Sequence, residues 1–272
     1  MMIAIPTKGR TTLAQQWTWR AITSSKRLQR DTYLVCPPED QKGLRAAGIP
    51  ASNIIIVKVS GIAAVRQAII DMASMEAKPY VLMLDDDMLF YRRASIRKTT
   101  KLVGISENGA AMEQMVSTLE RWLTKDKFVA VGLSARQGNN HVFEPYVDAT
   151  RMMNAYAFNA KTLRDLGIKF SAMKLMEDFY VTLSLLTRGF PNRVSYEYCW
   201  NQRGSGTKGG CSTYRTPELQ AEQAHRLHKF FPDFVKVVEK TSKSSWKGLQ
   251  TRTDVTIQWR KAFQFSISEM EV

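Results

Sequence analysis

Three consecutive aspartates, Asp85, Asp86 and Asp87, directly follow the apolar run VLML at residues 81–84. Like charges in contact raise one another's pKa, so such a triplet is costly unless a cation compensates it. Mg²⁺ and Mn²⁺ are cations that prefer carboxylate and phosphate oxygens. A solvated acidic turn is the alternative interpretation. Because the triplet ends a predicted buried strand, the sequence favours a metal site over that turn.

A second acidic pair, Glu177 and Asp178, opens a predicted helix. Free amides and the helix dipole favour carboxylates in a first turn, so helix capping is one explanation of the pair. A carboxylate placed there can also take a proton from an incoming hydroxyl group. Glu177 and Asp178 are therefore candidate catalytic residues.

Three other segments offer candidate ligands. Arg66 lies in a predicted helix at 60–74; it is either a solvated arginine or, beside the acidic strand, a forked donor to a diphosphate. The glycine-rich stretch at 203–210 contains Lys208 and can fold over phosphates, although it lacks Walker spacing and also suits a flexible connector. His225 is a candidate third metal ligand, although surface or packed histidines are commoner.

The elements that must position these residues are short apolar runs alternating with helical patterns over the first 90 residues. This alternation predicts an α/β fold with a mixed, mainly parallel sheet flanked by helices. Ligands bind at the carboxyl ends of strands in such sheets, where residues 6–10 and the aspartates both fall. The predicted strands are 2–6, 33–36, 53–59, 80–84, 128–135 and 156–160, and the later predicted helices are 111–125, 161–167, 177–188 and 217–231.

No linker divides the 272 residues, so we expect a single domain. Its parts would be a nucleotide-sugar half at 1–90, a catalytic half at 91–200 and a basic C-terminal part at 201–272. No apolar run reaches the roughly 20 residues of a membrane span, and the start does not resemble a secretory signal. Three scattered cysteines do not suggest a disulfide framework. A cytoplasmic protein with reduced thiols is the expectation.

The net charge of +14 is the unusual bulk property. Such a surface attracts polyanions, although a cationic solubility surface explains the number equally well. Basic residues cluster after the aspartates and again, with tryptophans, in the C-terminal part; cations that track phosphates and aromatics that stack on bases are typical of nucleic-acid binding. The predicted nucleic-acid contacts are Arg92, Arg93, Arg97, Lys98, Lys101, Lys243 and Lys247.

Four segments, in this order, resemble GT-A glycosyltransferases: IAIPTKGR, GIAAVRQAIIDMA, YVLMLDDDM and MEDFYVTLSLLTRGF. They are similar to that family's nucleotide-contacting loop, its helix with a diphosphate-side arginine, its DxD strand and its catalytic-base helix. Within that family, the chain most resembles the TET/JBP-associated glycosyltransferases of bacteriophages and kinetoplastids, which glycosylate hydroxymethylated bases in DNA. This resemblance rests on the small size, the charge and the general look of IPTKGR and MEDFY.

The resemblance implies a GT-A-like, Rossmann-like fold and transfer of a sugar from UDP to a hydroxymethylated pyrimidine of double-stranded DNA, with Mn²⁺ or Mg²⁺ bound. It implies that Asp85 contacts the donor, that Asp87 and Asp85 bind the metal, and that Asp178 is the base if the enzyme inverts the configuration of the transferred sugar. Together with Lys208 of the glycine-rich stretch, the predicted nucleotide-sugar contacts are Pro6, Thr7, Lys8, Arg10, Arg66, Asp85 and Asp86. The alternatives are a saccharide or protein acceptor, a non-catalytic nucleic-acid-binding protein and a nucleotidyltransferase.

Overall fold

The computed structural model describes residues 1–95, 101–202, 215–246 and 249–270. The first strands are parallel neighbours in the order β3-β2-β1-β4. Their carboxyl ends therefore share one edge of the sheet. These strands are β1 (Met2–Pro6), β2 (Thr32–Cys36), β3 (Ile54–Ile56) and β4 (Tyr80–Leu84).

Helices cover both faces of this parallel part. One of them carries Arg66 and packs on β1 and β4 through buried side chains that include Ile69, Ile70 and Ala73. Burial of its apolar stripe against the sheet stabilises the helix there. The helices of this half are α1 (Trp17–Ile22), α2 (Lys26–Arg30), α3 (Pro38–Ala46) and α4 (Ile62–Ser74), with 3₁₀ turns at Leu13–Gln15 and Ala51–Asn53.

The later strands extend the same sheet in the order β4-β9-β7-β10-β5-β6, with β8 beside β10. Because β9 is antiparallel to both β4 and β7, β7 runs in the direction of β4. β10 is parallel to β7 and so ends at the same edge as β1 and β4. These strands are β5 (Met88–Arg93), β6 (Leu102–Gly104), β7 (Ala130–Ala135), β8 (Tyr146–Asp148), β9 (Ala155–Asn159) and β10 (Asn192–Gln202).

The remaining elements complete the two flanking layers and add a C-terminal unit, which comprises the elements between residues 217 and 270. The helix that begins at Glu177 packs against that unit through an apolar cluster that includes Leu183, Leu186, Leu227 and Val255. The elements are α5 (Gly109–Thr124), α6 (Ala160–Asp165), α7 (Glu177–Leu186), α8 (Pro217–Phe230), β11 (Val235–Trp246), β12 (Leu249–Ile257) and α9 (Trp259–Met270), with 3₁₀ turns at Asn139–His141 and Phe170–Ala172.

The α/β fold class predicted from the sequence is confirmed, and so are the strands β1 to β4. The prediction omitted β5, β6, β8 and β10, and it treated residues after 231 as a tail where the structure has the antiparallel hairpin β11–β12 and helix α9. Cys36 and Cys199 are buried free thiols. Among the described residues, no helix has the length and apolar character needed to cross a membrane.

Candidate functional site

The carboxyl ends of β1, β4 and β10 bring the acidic triplet together with the loop that follows β1. Thr7 Oγ1 donates to Asp86 Oδ2 at 2.6 Å, and Arg10 Nη1 contacts Asp86 Oδ1. Arg10 Nη1 also lies 3.2 Å from Asp87 Oδ2. Burial raises the pKa of Asp86 to about 6, while Arg10 and Thr7 act against that rise. Asp86 thus points inward and fixes the first loop.

Further hydrogen bonds fix the shape of this loop. Gln16 Nε2 donates to Thr7 Oγ1 at 2.9 Å and to the Arg10 carbonyl at 2.5 Å. The Gly9 amide donates to Asp40 Oδ2 at 2.6 Å, and Gly9 has a φ of +69°, a left-handed conformation that glycine adopts without strain. The loop is therefore preformed against α3 and the triplet.

The nucleotide contacts predicted in this loop separate into two groups. Thr7 and Arg10 turn toward the aspartates, whereas Lys8 is exposed to solvent. Pro6 is buried at the end of β1, where it pairs with Val35. Of these four residues, Thr7 and Arg10 contact the acidic triplet through a hydrogen bond and ion pairs.

Asp85 and Asp87 both reach a single nitrogen atom. Gln202 Nε2, at the end of β10, donates to Asp85 Oδ2 at 3.2 Å and to Asp87 Oδ1 at 3.1 Å. Burial raises the pKa of Asp87, Arg10 lowers it and Asp85 raises it further. Thr18 Oγ1 donates to the Asp85 carbonyl at 2.5 Å and so fixes the backbone of the triplet. Gln202 is not among the residues predicted from the sequence, because β10 was not predicted.

Arg66 joins the triplet to the acidic pair of α7. Its Nη2 donates to Asp85 Oδ1 at 2.7 Å, and its Nη1 donates to Glu177 Oε1. Its guanidinium carbon lies 5.2 Å from the centre of the Tyr156 ring. Only 6% of Arg66 and 4% of Glu177 is exposed. Arg66 was expected to reach a diphosphate, but the structure places both terminal nitrogens on carboxylates.

Asp178 follows Glu177 in the first turn of α7 and is partly buried. Burial raises its pKa to about 7, and the Glu177 carboxylate contributes to the rise, while Arg66 and Arg151 oppose it. Its Oδ1 accepts from the Phe179 amide at 3.0 Å. A pKa near neutrality suits a carboxyl group that acts as a general base near pH 7.

The described residues contain no group of three or more His, Cys, Asp or Glu side chains that could hold a metal ion. His225 therefore does not join Asp85 and Asp87 as the third metal ligand predicted from the sequence. It is exposed on α8 and lines an open groove with His228, Pro232, Val235, Lys236 and Val237. The physical reason is that α8 packs against α7 and the C-terminal hairpin, so its outer face turns to solvent.

The basic residues predicted to contact nucleic acid differ sharply in exposure. Arg93 is buried, and its guanidinium donates to four backbone carbonyls and one amide oxygen of residues 139–144. The prediction for Arg93 is wrong because all its donors hold that loop. Arg92 is exposed, lies 2.9 Å from a Glu197 carboxylate oxygen and stacks on Tyr198 at 5.5 Å. Lys101 is exposed just before β6.

The other predicted cations cannot be assigned contacts. Arg97, Lys98, Lys208 and Lys247 lie outside the described residues. Lys243 belongs to β11, and its side chain is likewise outside the described part.

Residues 1–210 match the family described as TET-Associated Glycosyltransferase. This chain belongs to that family. The matched segment runs from β1 to beyond β10 and so contains the acidic triplet, Arg66 and the acidic pair of α7. The family expected from the four sequence segments is confirmed, and the protein is a glycosyltransferase. The match ends before α8, so the C-terminal unit lies beyond it.

Several solved structures resemble this glycosyltransferase at low identity. One is glucosyl-3-phosphoglycerate synthase from Mycobacterium tuberculosis in complex with Mg²⁺ and uridine diphosphate, with 10% identity, 94% of this chain and 87% of that chain covered, and a TM-score of 0.45. A second structure of the Mycobacterium tuberculosis synthase has 12% identity, coverage of 87% and 84%, and a TM-score of 0.46. A cytidylyltransferase from Leptospira borgpetersenii has 10% identity, coverage of 85% and 87%, and a TM-score of 0.41. Such low scores assign neither substrate nor cofactor. No curated protein matches the chain.

Proposed function

We propose that this glycosyltransferase moves a sugar from a nucleoside diphosphate, with uridine as the nucleoside, to a hydroxyl group on a hydroxymethylated pyrimidine of DNA. The observation that carries the proposal is the link made by Arg66, which contacts Asp85 of the triplet and Glu177 of the acidic pair at once. A donor held at the triplet and an acceptor facing Asp178 would therefore meet within one rigid site.

The two outer aspartates fit a divalent cation. Both carboxylates already converge on the nitrogen of Gln202, at 3.2 and 3.1 Å, so one positive centre can be reached by both. Mg²⁺ is usually held by one or two carboxylates together with substrate phosphates, so a third protein ligand is not required. Asp85 and Asp87 would hold Mn²⁺ or Mg²⁺, which would stabilise the charge of the departing diphosphate.

The chain's own residues would perform the remaining tasks. Asp178 would take the proton from the acceptor hydroxyl as the new bond to the sugar forms. Arg66 would keep Glu177 paired, so that the negative charge of Glu177 raises the pKa of Asp178 without competing for the proton. The loop from Thr7 to Arg10 would line the nucleotide side, where its backbone is held by Gln16 and Asp40.

DNA is the acceptor that the charge of the chain favours. The net charge of +14 supports long-range attraction of a polyanion, and Arg92 in β5 and Lys101 directly before β6 are both exposed. A base in a duplex must leave its stack to bring a hydroxyl group to the partly buried Asp178 carboxylate. The family match is also consistent with an acceptor of this kind.

Mass spectrometry of hydroxymethylated DNA tests this proposal. The full-length protein would be incubated with Mn²⁺ and a panel of nucleotide sugars, and a mass gain of one sugar on the modified base is expected with one of them. Asp178→Asn should lose the gain, whereas Asp165→Asn should retain it, because Asp165 is exposed and pairs with Lys161 on α6. Sugar transfer to a saccharide or protein, with DNA unchanged under every donor, would contradict the DNA assignment.

A further inference from the structure

An arginine outside the predicted site lies beside the candidate base. Arg151 belongs to the segment between β8 and β9 and is exposed to solvent. Its guanidinium carbon lies 5.0 Å from the centre of the Phe179 ring, and Phe179 directly follows Asp178. The attraction of a guanidinium to a ring face is about 0.5–1 kcal/mol at an exposed site, and it favours this position of the Arg151 side chain.

The platform under Arg151 is itself fixed. Trp259, the first residue of α9, contacts Phe179 edge to face with 5.5 Å between the ring centres. Helix α9 belongs to the C-terminal unit, which packs on α7 and lies beyond the family match. Tertiary packing thus holds an exposed cation next to the first turn of α7.

Arg151 differs from the other arginines of the site in having no internal anion. Arg10 and Arg66 each contact two carboxylates. Within the described residues, Arg151 has no ion pair or hydrogen bond. It contacts the Phe179 ring, and its charge partly offsets the rise in the pKa of Asp178 that burial and Glu177 cause. A guanidinium fixed at the site and left unpaired suits a ligand with a forked set of anionic oxygens, as in a phosphate group.

We propose that Arg151 binds a backbone phosphate of the acceptor DNA next to the modified nucleotide. This inference rests on the proposed function, because it places the acceptor hydroxyl at Asp178. The donor's diphosphate offers the same chemistry. The acceptor is favoured because Arg151 stands beside the base on α7, whereas Arg10 already serves the triplet where the donor would bind.

The test combines Arg151→Gln with DNA whose phosphates are neutralised one at a time as methylphosphonates around the modified base. For hydroxymethylated DNA with all its phosphates charged, the KM of Arg151→Gln should be about tenfold to a hundredfold higher than that of the wild type. This is the effect of losing one charge-assisted hydrogen-bonded contact. Neutralising the contacted phosphate should raise the wild-type KM by a similar factor and the variant's KM hardly at all, since the two changes remove the same contact. Arg151→Lys should recover part of the loss.

Arg226→Gln is the matched control, because Arg226 is also exposed and lies over an aromatic ring, 5.6 Å from the centre of Phe230. A general loss of positive charge would affect both variants equally, and that equality would overturn the proposal. If calorimetry showed weaker binding of UDP to Arg151→Gln than to the wild type, Arg151 would bind the donor's diphosphate, and the proposal would be overturned. If neutralisation of each phosphate in turn raised the wild-type KM by the same factor, no single phosphate would be contacted. That result would also overturn the proposal while leaving the proposed function intact. Absence of wild-type transfer to DNA would instead refute the proposed function, and this inference with it.

Discussion

Arg66 and Glu177 are 111 positions apart in the sequence, and their buried contact joins α4 to the first turn of α7. The same guanidinium donates to Asp85 at the end of β4. Three elements are therefore fixed by one side chain at the edge of the sheet where the site lies.

Removing Arg66 should destabilise the protein markedly. Arg66→Met leaves Asp85 and Glu177 without their buried partner, and loss of one member of a buried pair costs about 3–5 kcal/mol. The double variant Arg66→Met with Glu177→Leu should recover part of that loss, because it also removes a buried charge. Urea unfolding measures both free energies; a loss below about 1 kcal/mol in the single variant would contradict the assigned role.

The activity should depend on pH through Asp178. Its pKa is raised to about 7, and a general base works only in its ionised form. We expect kcat/KM to rise with pH up to about 7 and to fall about tenfold per pH unit below it. Asp178→Asn should reduce turnover by about 10²- to 10⁴-fold. A flat wild-type profile across this range would argue against Asp178 as the base.

Asp178 should also lower the stability of the protein at alkaline pH. A carboxyl group whose folded-state pKa is raised contributes stability below its unfolded value of 3.8, and this contribution is lost as pH rises through about 7. At about pH 8, Asp178→Asn should therefore be more stable than the wild type, by about 1 kcal/mol or more. The advantage should shrink near pH 5. Denaturation at both pH values measures it, and an equal difference at both would contradict the raised pKa.

Removal of divalent metal should weaken nucleotide binding. We expect EDTA to reduce the affinity for UDP by about tenfold or more, since phosphate oxygens would lose a shared cation. Asp87→Asn should reproduce that loss in the presence of Mn²⁺. Asp71→Asn should not, because Asp71 is an exposed residue of α4 that accepts from Gln67. Calorimetry with UDP provides the measurement. An affinity for UDP that is unchanged by EDTA and by Asp87→Asn would refute the metal site.

Substitution of Arg93 should reduce stability, whereas substitution of Arg92 should reduce DNA binding. Arg93→Ala removes five hydrogen bonds to residues 139–144 and should destabilise the fold by about 3 kcal/mol or more. Arg92→Ala should change stability by less than about 1 kcal/mol, because its ion pair with Glu197 is exposed. It should instead weaken DNA binding and reduce the salt slope by about 1. Urea unfolding and fluorescence anisotropy across a salt series separate the two effects.

The sequence by itself determined the α/β class, the strands of the first half and the position of the aspartates at the end of β4. These features follow from local patterns, because an apolar run that ends in polar residues is a property of neighbouring positions. It also indicated the family, since the four segments that carry the resemblance are short and continuous. Asp85 and Glu177 were recognised as candidates for the same reason.

Only the tertiary structure decided what these residues contact. Gln202 meets Asp85 and Asp87 because β10 runs in the direction of β4, which depends on pairings across the whole sheet. Arg92 and Arg93 are alike in sequence, but successive strand residues face opposite sides, and residues 139–144 cover one of them. Contacts between distant segments depend on strand order and packing, and no local pattern of residue types contains that information.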